Sequence, residues 1–199
     1  MRLLFTASKL CAFAVSVVLV SPLSLVCRVE RQLWSRDLFY GPCTQVLSLV
    51  PGLPGIYLRA GFYFVVLQKC SWKVHVGFGS LLANWPARLS EHVTIGAYCV
   101  LGHVDIQPNV RIASRVSIPS GKRQHLDDFR NGSGQTHYDT VRIGTGCWIG
   151  EGAILMANIG RHSIVSAGAV VVDEVPEFSI VGGNPAKVIG KVDMLATSE

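Results

Sequence analysis

A six-residue period in the C-terminal part of the chain limits its fold more than any other feature. Ile95-Gly96 and Leu101-Gly102 open it, and after a one-residue contraction Ile106, Ile112 and Ile118 recur at spacing six. A second run holds Ile143-Gly144, Ile149-Gly150 and Leu155, then resumes at Ile159-Gly160, Val165 and Val171. Cys99, Val110, Val116, Cys147, Ala153, Ser163, Ala169 and Val175 occupy the plus-four positions. Val76-Gly77, Leu82 and Leu89 fit the same pattern loosely. Neither a 3.6-residue helix nor one long strand has this period. A solenoid does: each hexad forms one flat side of a triangular coil, an aliphatic residue points inward, and a small residue follows where the chain turns. About thirteen units make four to five coils, enough to bury a continuous aliphatic column. The repeated Ile, Leu and Val residues, and Cys99 and Cys147 among them, are therefore core.

The 199 residues suit one domain with an appendage, and 16% charged against 49% hydrophobic residues is too apolar for a disordered chain. Residues 1–73 hold eight Lys/Arg against two Asp/Glu, whereas residues 74–199 hold ten against eleven. The net charge of +5 is thus an N-terminal property. The repeat half has no basic run with interleaved aromatics, which argues against nucleic-acid binding. The six cysteines are spread without a CxxC pair, so neither a disulfide framework nor a structural zinc site is expected.

Between Lys9 and Arg28, residues 10–27 carry no charge, about the minimum to cross a bilayer core. Ser16, Ser21, Pro22 and Ser24 weaken the stretch. Four readings fit it. It is a cleaved signal peptide, although no clear small-x-small site follows. It spans a membrane, with Arg28, Arg31 and Arg36 on the cytoplasmic side. It forms an apolar hairpin in or on the membrane with residues 43–67, broken by Pro51-Gly52 and Pro54-Gly55. Or it is a helical pair packed on the repeat domain or between subunits. Membrane association through residues 10–67 is the expectation carried forward.

Ser166-Ala-Gly-Ala-Val-Val followed by Val181-Gly-Gly-Asn-Pro-Ala-Lys-Val-Ile189 resembles the C-terminal signature of the hexapeptide-repeat acyltransferases. Gly183-Asn-Pro-Ala-Lys187 is its most specific part, and the resemblance covers about residues 74–191. Within that family the chain looks most like the galactoside, maltose and xenobiotic acetyltransferase branch and its relatives in surface-polysaccharide biosynthesis. Leu49-Val-Pro-Gly-Leu-Pro-Gly-Ile-Tyr-Leu-Arg59 resembles the N-terminal region of those polysaccharide-associated members. The resemblance implies an all-β solenoid, a left-handed parallel β-helix, behind an apolar helical N-terminal segment. The domains expected are 1–73, 74–191 with an inserted loop at 119–140, and a tail at 192–199.

The loop breaks the hexad pattern and carries Lys122, Arg123, His125, Asp127, Asp128, Arg130 and His137. Long loops without repeat structure are usually functional. Ile112-Ala-Ser-Arg-Val-Ser-Ile118 and Pro119-Ser-Gly-Lys-Arg-Gln-His125 resemble the xenobiotic branch without a gap, which implies that His125 is the catalytic base. Chemistry agrees: moving an acyl group from a thioester to a hydroxyl needs a base near pKa 7. His137 is the alternative base, and His103 reads as structural. Gamma-class carbonic anhydrases share the fold and bind a metal through three histidines, but no His pair here has such spacing, so no metal is expected.

The resemblance also implies acetyl-coenzyme A as co-substrate, lying outside the coils. Trp148, Gly150, Ala167, Gly168, Pro185 and Lys187 are its expected contacts: Trp148 by the cleft, the small residues allowing close approach, Pro185 and Lys187 at the adenine and phosphate end. The family often has Thr-Lys where this chain has Val172-Asp173, and Arg where it has Gly190-Lys191. The implied activity is O-acetyl transfer to a sugar hydroxyl by a homotrimer in the cytoplasm, at the inner face of the cytoplasmic membrane. Acetylation of a drug-like hydroxyl compound and a non-catalytic β-helical scaffold are the alternatives.

Overall fold

A computed structural model describes residues 2–34, 38–121 and 138–193. The repeats wind into a parallel β-solenoid of about five turns with three sheets as its sides. Fifteen short strands (β1–β15) wind it. Side A stacks β1 (Lys69–Cys70), β4 (Arg88–Leu89), β7 (Val104–Ile106) and β10 (Val141–Ile143). Side B stacks β2 (His75–Val76), β5 (Thr94–Ile95), β8 (Arg111–Ile112), β11 (Trp148–Ile149), β13 (Ile164–Val165) and β15 (Ser179–Gly183). Side C stacks β3 (Leu81–Leu82), β6 (Val100–Leu101), β9 (Ser117–Ile118), β12 (Ile154–Leu155) and β14 (Val170–Val171). A sixteenth strand, β16 (Ala186–Lys191), folds back antiparallel on β15 across the cis Asn184-Pro185 peptide and covers the upper edge of side B.

The period works as read. In side B, Val76, Ile95, Ile112, Ile149, Val165 and Val181 stack in register, and all are buried. Leu82 and Leu89, the loose matches, are full members of the core. Each fully buried side chain of this size adds roughly 1.5–3 kcal/mol. The plus-four residues are buried too. Ser163 is accommodated because its hydroxyl donates to Pro176 O at 2.8 Å and accepts from Ser179 N–H at 3.2 Å.

The reason for the corner glycines differs from the expectation. Gly96 and Gly150 directly follow the inward aliphatic residue, yet neither has a positive φ. The left-handed residue falls two positions later, at Tyr98 (φ 57°) and Gly152 (φ 69°). Gly150 is glycine because a Cβ there would stand 2.5 Å from Ala167 N in the next coil. The requirement is stacking of coils, not turning of the chain.

The N-terminal segment is helical: α1 (Arg2–Trp34), α2 (Tyr40–Ser48) and α3 (Gly52–Val66). Pro51 precedes α3, but Pro54-Gly55 does not break it as expected; Pro54 sits in the first turn, where its missing N–H has no intrahelical partner to lose. The helices close the lower end of the solenoid. Tyr40 Oη donates to Leu82 O at 3.0 Å, and Tyr63 Oη accepts from Leu82 N–H at 3.2 Å. Arg59, fully buried, donates to Val76 O (2.9 Å) and to Leu47 O, Ser48 O and Val50 O (3.0, 3.3 and 2.8 Å). One guanidinium thus satisfies both an open strand edge and the carbonyls at the end of α2. Glu30, also buried, accepts from Leu38 N–H and Phe39 N–H at 2.8 and 3.0 Å, ahead of α2.

Candidate functional site

The inserted loop leaves and re-enters the prism at the corner between sides C and A. Ser120, buried, anchors its start: Ser120 Oγ accepts from His103 N–H (2.9 Å) and Asn84 Nδ2 (3.3 Å), and Ser120 O accepts from Asp139 N–H (3.0 Å). Gly121 turns the chain outward at φ 82°, where a Cβ would press on Asp139. At the returning end the Tyr138 ring stacks on His103, centroids 4.9 Å apart. Burial lowers the His103 pKa, which keeps this imidazole neutral near pH 7. His103, read from the sequence as structural, lies at the foot of the loop. His125, its alternative His137, Asp127 and Asp128 lie outside the described residues.

Above the foot is a hollow of 530 Å³, lined by Gly121, Asp139, Thr140, Asn158, Asp173 and Glu174 among others. Among the described residues its polar lining is three carboxylates and two neutral hydrogen-bonding side chains. Sequence reasoning did not find it, because its members come from two coils and the returning end of the loop.

The six residues expected to contact coenzyme A gather along another edge, between sides B and C in the upper coils. Gly150 packs under Ala167, and Val165 pairs with Val181 beside them. Lys187 pairs with Gly182 in the terminal hairpin, one residue beyond Ala186 and two beyond Pro185. Ala167, Gly168, Pro185 and Lys187 are exposed. Gly168 has φ 68°, and a Cβ there would meet nothing within 4 Å, so this edge is open outward. Gly150 is the exception: it is buried, and the next coil rather than a ligand requires it. Trp148 stands on side B two residues before it, 55% exposed, between Arg111 below and Ile164 above.

The outward residues give the three sides different characters. Side A presents Lys69, Arg88, Asp105, Arg142, Asn158 and Glu174, linked by contacts such as Asn158 Nδ2 to Glu174 Oε1 at 2.9 Å. Side B presents His75, Thr94, Arg111, Trp148, Ile164 and Ile180. Side C presents Leu81, Val100, Ser117, Ile154 and Val170, without a charge. This apolar side separates the foot of the loop from the open edge.

The thiols inside the prism are poor nucleophiles. Cys99 and Cys147 are buried, with Sγ–H directed at Ala113 O (3.1 Å) and Gly160 O (3.0 Å). Burial raises both pKa values, that of Cys147 to about 11. Among the described residues no group of three His, Cys, Asp or Glu side chains is arranged to hold a metal ion.

The galactoside acetyltransferase solved with coenzyme A superposes with a TM-score of 0.57 at 19% identity, over 77% of this chain and 80% of that one. A maltose O-acetyltransferase from Clostridium difficile gives 0.56 at 21% identity, over 84% and 89%. This is the hexapeptide-repeat acetyltransferase fold. In sequence, the Saccharomyces cerevisiae protein YJL218W, provisionally named an acetyltransferase, is 38% identical over 91 residues, 45% of this chain and 46% of the yeast protein. The chain spans less than half the length of the curated relatives it matches. No family model matches it.

Proposed function

We propose that the protein is an acetyl-coenzyme A-dependent O-acetyltransferase acting on a hydroxyl of a sugar, in surface-polysaccharide biosynthesis. The observation that carries this reading is the arrangement around side C. One of its edges holds Trp148, Ala167, Gly168, Pro185 and Lys187; the other holds the foot of the His125 loop and the carboxylate-lined hollow. Relatives of the same fold transfer acetyl groups to galactosides and maltose, by their names, and one was solved with coenzyme A bound.

The residues present fit the co-substrate. An extended amide-bearing pantetheine arm needs an open edge with small side chains, which Ala167 and Gly168 supply. Lys187 offers a point charge to a phosphate, and Lys191 on the same strand, one position past the Gly190 that replaces the family's frequent Arg, can substitute for that cation. The hollow suits the acceptor, because its carboxylates keep lone pairs beyond the contacts they already make, and Thr140 and Asn158 add neutral groups, so that several hydroxyls can pair there. A polyhydroxylated sugar satisfies these groups better than an apolar drug-like compound does.

In the reaction, His125 takes the proton of the acceptor hydroxyl, whose oxygen attacks the thioester carbonyl. The tetrahedral intermediate collapses, the C–S bond breaks, and the coenzyme A sulfur leaves and takes up a proton. The ester formed and the free thiol account for all atoms. No covalent enzyme intermediate is required, which agrees with the raised pKa values of Cys99 and Cys147.

One side of the prism, six residues of extended and turning chain, is about 15–20 Å wide. The two halves of the site are that far apart on one chain. A homotrimer packed through apolar side C brings the loop of one chain to the open edge of its neighbour, and this is the assembly we propose. The test is acceptor-dependent thiol release from acetyl-coenzyme A with a panel of sugars, beside His125→Ala. A fall of about 10²-fold or more is expected. An unchanged rate removes His125 as the base and makes His137 the next variant. No release with any acceptor, together with no coenzyme A binding, overturns the enzyme and leaves a scaffold.

A further inference from the structure

Helix α1 turns apolar residues outward as well as inward. Its buried stripe is Phe13, Ser16, Val20, Ser24, Cys27 and Glu30. On the opposite side, at 3.6 residues per turn, lie Val15, Val18, Leu19, Leu25, Val26, Val29 and Leu33, all exposed, Val18 by 70%. A helix on a water-soluble protein buries the apolar stripe and exposes the polar one. Leu38 and Phe39 before α2, Val46 and Leu49 in and after it, and Leu53 in α3 are exposed as well. Contiguous apolar area on this scale marks an interaction surface.

The orientation of α1 is fixed by both of its halves. Near its start, the Phe13 ring lies 6.1 Å from that of Trp72, which follows β1. Near its end, the Arg31 guanidinium lies 4.2 Å from the Trp85 ring centre, just before β4. Between Phe13 and Arg31 the helix runs about 27 Å. It therefore lies across the end of the prism, against the first coil at two corners, and does not project from it. Gly61 of α3 seats it one turn past Phe13: a Cβ there would stand 2.7 Å from Ser16 Oγ.

Exposed cations accompany this face: Lys9 and Arg28 on α1, Lys69 and Lys73 in the first coil, and Arg88 in the second. A cavity of 450 Å³ opens between the start of α1, α3 and the first two coils, lined by Lys9, Lys73, His75 and His92 beside Tyr57 and Trp72. Lys73 is held at 2.8 Å by Glu91, and the basic balance of residues 1–73, eight Lys/Arg against two Asp/Glu, gives the rim an excess of positive charge.

We propose that α1, with the exposed flanks of α2 and α3, is an in-plane docking surface for a lipid bilayer bearing anionic headgroups, and that the cavity around Lys9 and Lys73 receives a headgroup phosphate. An apolar outer face answers to acyl chains, and a basic rim just above it answers to anionic lipid at headgroup depth. The helix has the length and composition to cross a bilayer. Its attachment at both halves to one coil instead puts it parallel to the membrane, with the prism axis upright.

The test is flotation of the full-length protein, purified in detergent, with vesicles of phosphatidylcholine alone or mixed with phosphatidylglycerol. Binding to the mixed vesicles is expected to exceed binding to the neutral ones by about tenfold or more, and Val18→Asp with Leu25→Asp to abolish it. An intact circular dichroism spectrum and unfolding midpoint show that the double variant keeps its fold. Unchanged flotation of that variant overturns the proposal, and equal binding to both vesicles overturns the headgroup site. If the variant instead changes particle size in detergent and leaves flotation alone, the face binds a second copy and the proposal fails. Orientation is read from Ser8→Cys and Gln32→Cys, each in a Cys11→Ser background, with an impermeant maleimide outside the vesicles. Modification of both supports the in-plane helix; modification of only one means a spanning helix and overturns it. None of these readings depends on acetyl transfer, so failure here is separate from failure of the proposed activity.

Discussion

The prism and helix α1 of its cap turn different kinds of residue to the outside. In the prism every coil turns Ile, Leu or Val inward, while Arg88, Arg111 and Arg142 point out. In α1, Ser16, Ser24, Cys27 and Glu30 point in, while Val18, Leu19 and Leu25 point out. The prism follows the rule for a protein in water. The cap leaves apolar side chains outside, and its interior combines apolar residues such as Phe62, Tyr63 and Val66 with the buried polar groups of Glu30 and Arg59, which tie one segment to the next.

The strongest way to break this contrast is to cut the same amount of side chain from each region. Ile149→Ala empties a site with no exposed surface and should cost about 2–5 kcal/mol in denaturant unfolding. Leu19→Ala, which removes the same three carbons, should change stability by less than about 0.5 kcal/mol in detergent, because Leu19 is exposed. Equal losses would mean that the outer face of α1 is packed, and the two regions would then be alike.

The next effect sharpens the cap. Glu30→Ala removes the acceptor of two N–H groups ahead of α2 and leaves them without that partner. A loss of about 1–3 kcal/mol is expected, partly recovered in Glu30→Gln, whose amide oxygen can still accept one bond. A null result in thermal unfolding of both variants would show that the cap does not depend on its buried polar groups.

Most of the prism was legible in the sequence, because burial repeats every six residues and leaves its mark in Ile, Leu and Val. The reason for the corner glycines was not, since close approach of Gly150 to Ala167 is a contact between coils 17 residues apart, and only the fold brings those backbones together. The helices of the cap were legible as an apolar segment. Their orientation was not: a segment apolar on most sides gives little sign of which stripe is buried, and here the buried stripe is the one with Ser16 and Ser24. Arg59 likewise looked like the end of a motif rather than the bond between α2, α3 and the first coil. Of the candidate site, the signature and the hexads put Ala167, Gly168, Pro185 and Lys187 within reach of one edge, while Gly150 is small for a different reason. The hollow at the foot of the loop was missed because Asp139, Asp173 and Glu174 belong to no common spacing.

Smaller effects come from pH. Burial, and then the nearby Arg59 charge, lower the pKa of His75, and burial lowers that of His103. Each imidazole takes up its proton more readily in the unfolded chain than in the folded one. The folded state is therefore undiminished above the ordinary histidine pKa of about 6.5 and loses stability as pH falls below it, through the lowered folded values. The unfolding midpoint should fall between pH 7 and pH 5, and His75→Gln with His103→Gln should flatten that slope. A slope unaffected by both substitutions would assign it to other groups.

The smallest effect expected sets one arginine against another. Arg161 sits at an outer corner, where its Nε donates to Glu177 Oε2 at 2.8 Å and its guanidinium lies 5.3 Å from the centre of the Phe178 ring. Its contacts are as short as those of Arg59, but both partners of its ion pair are more than half exposed. Water replaces what is lost, and salt screens what remains, so Arg161→Ala should cost less than about 1 kcal/mol, and less again in high salt. Arg59→Ala should cost several times as much and be indifferent to salt, because it leaves carbonyls of α2 and of the first coil without a donor in a site that water does not reach. Comparable losses from the two substitutions would mean that water enters the cap, and the polar groups inside it would then hold nothing that solvent could not.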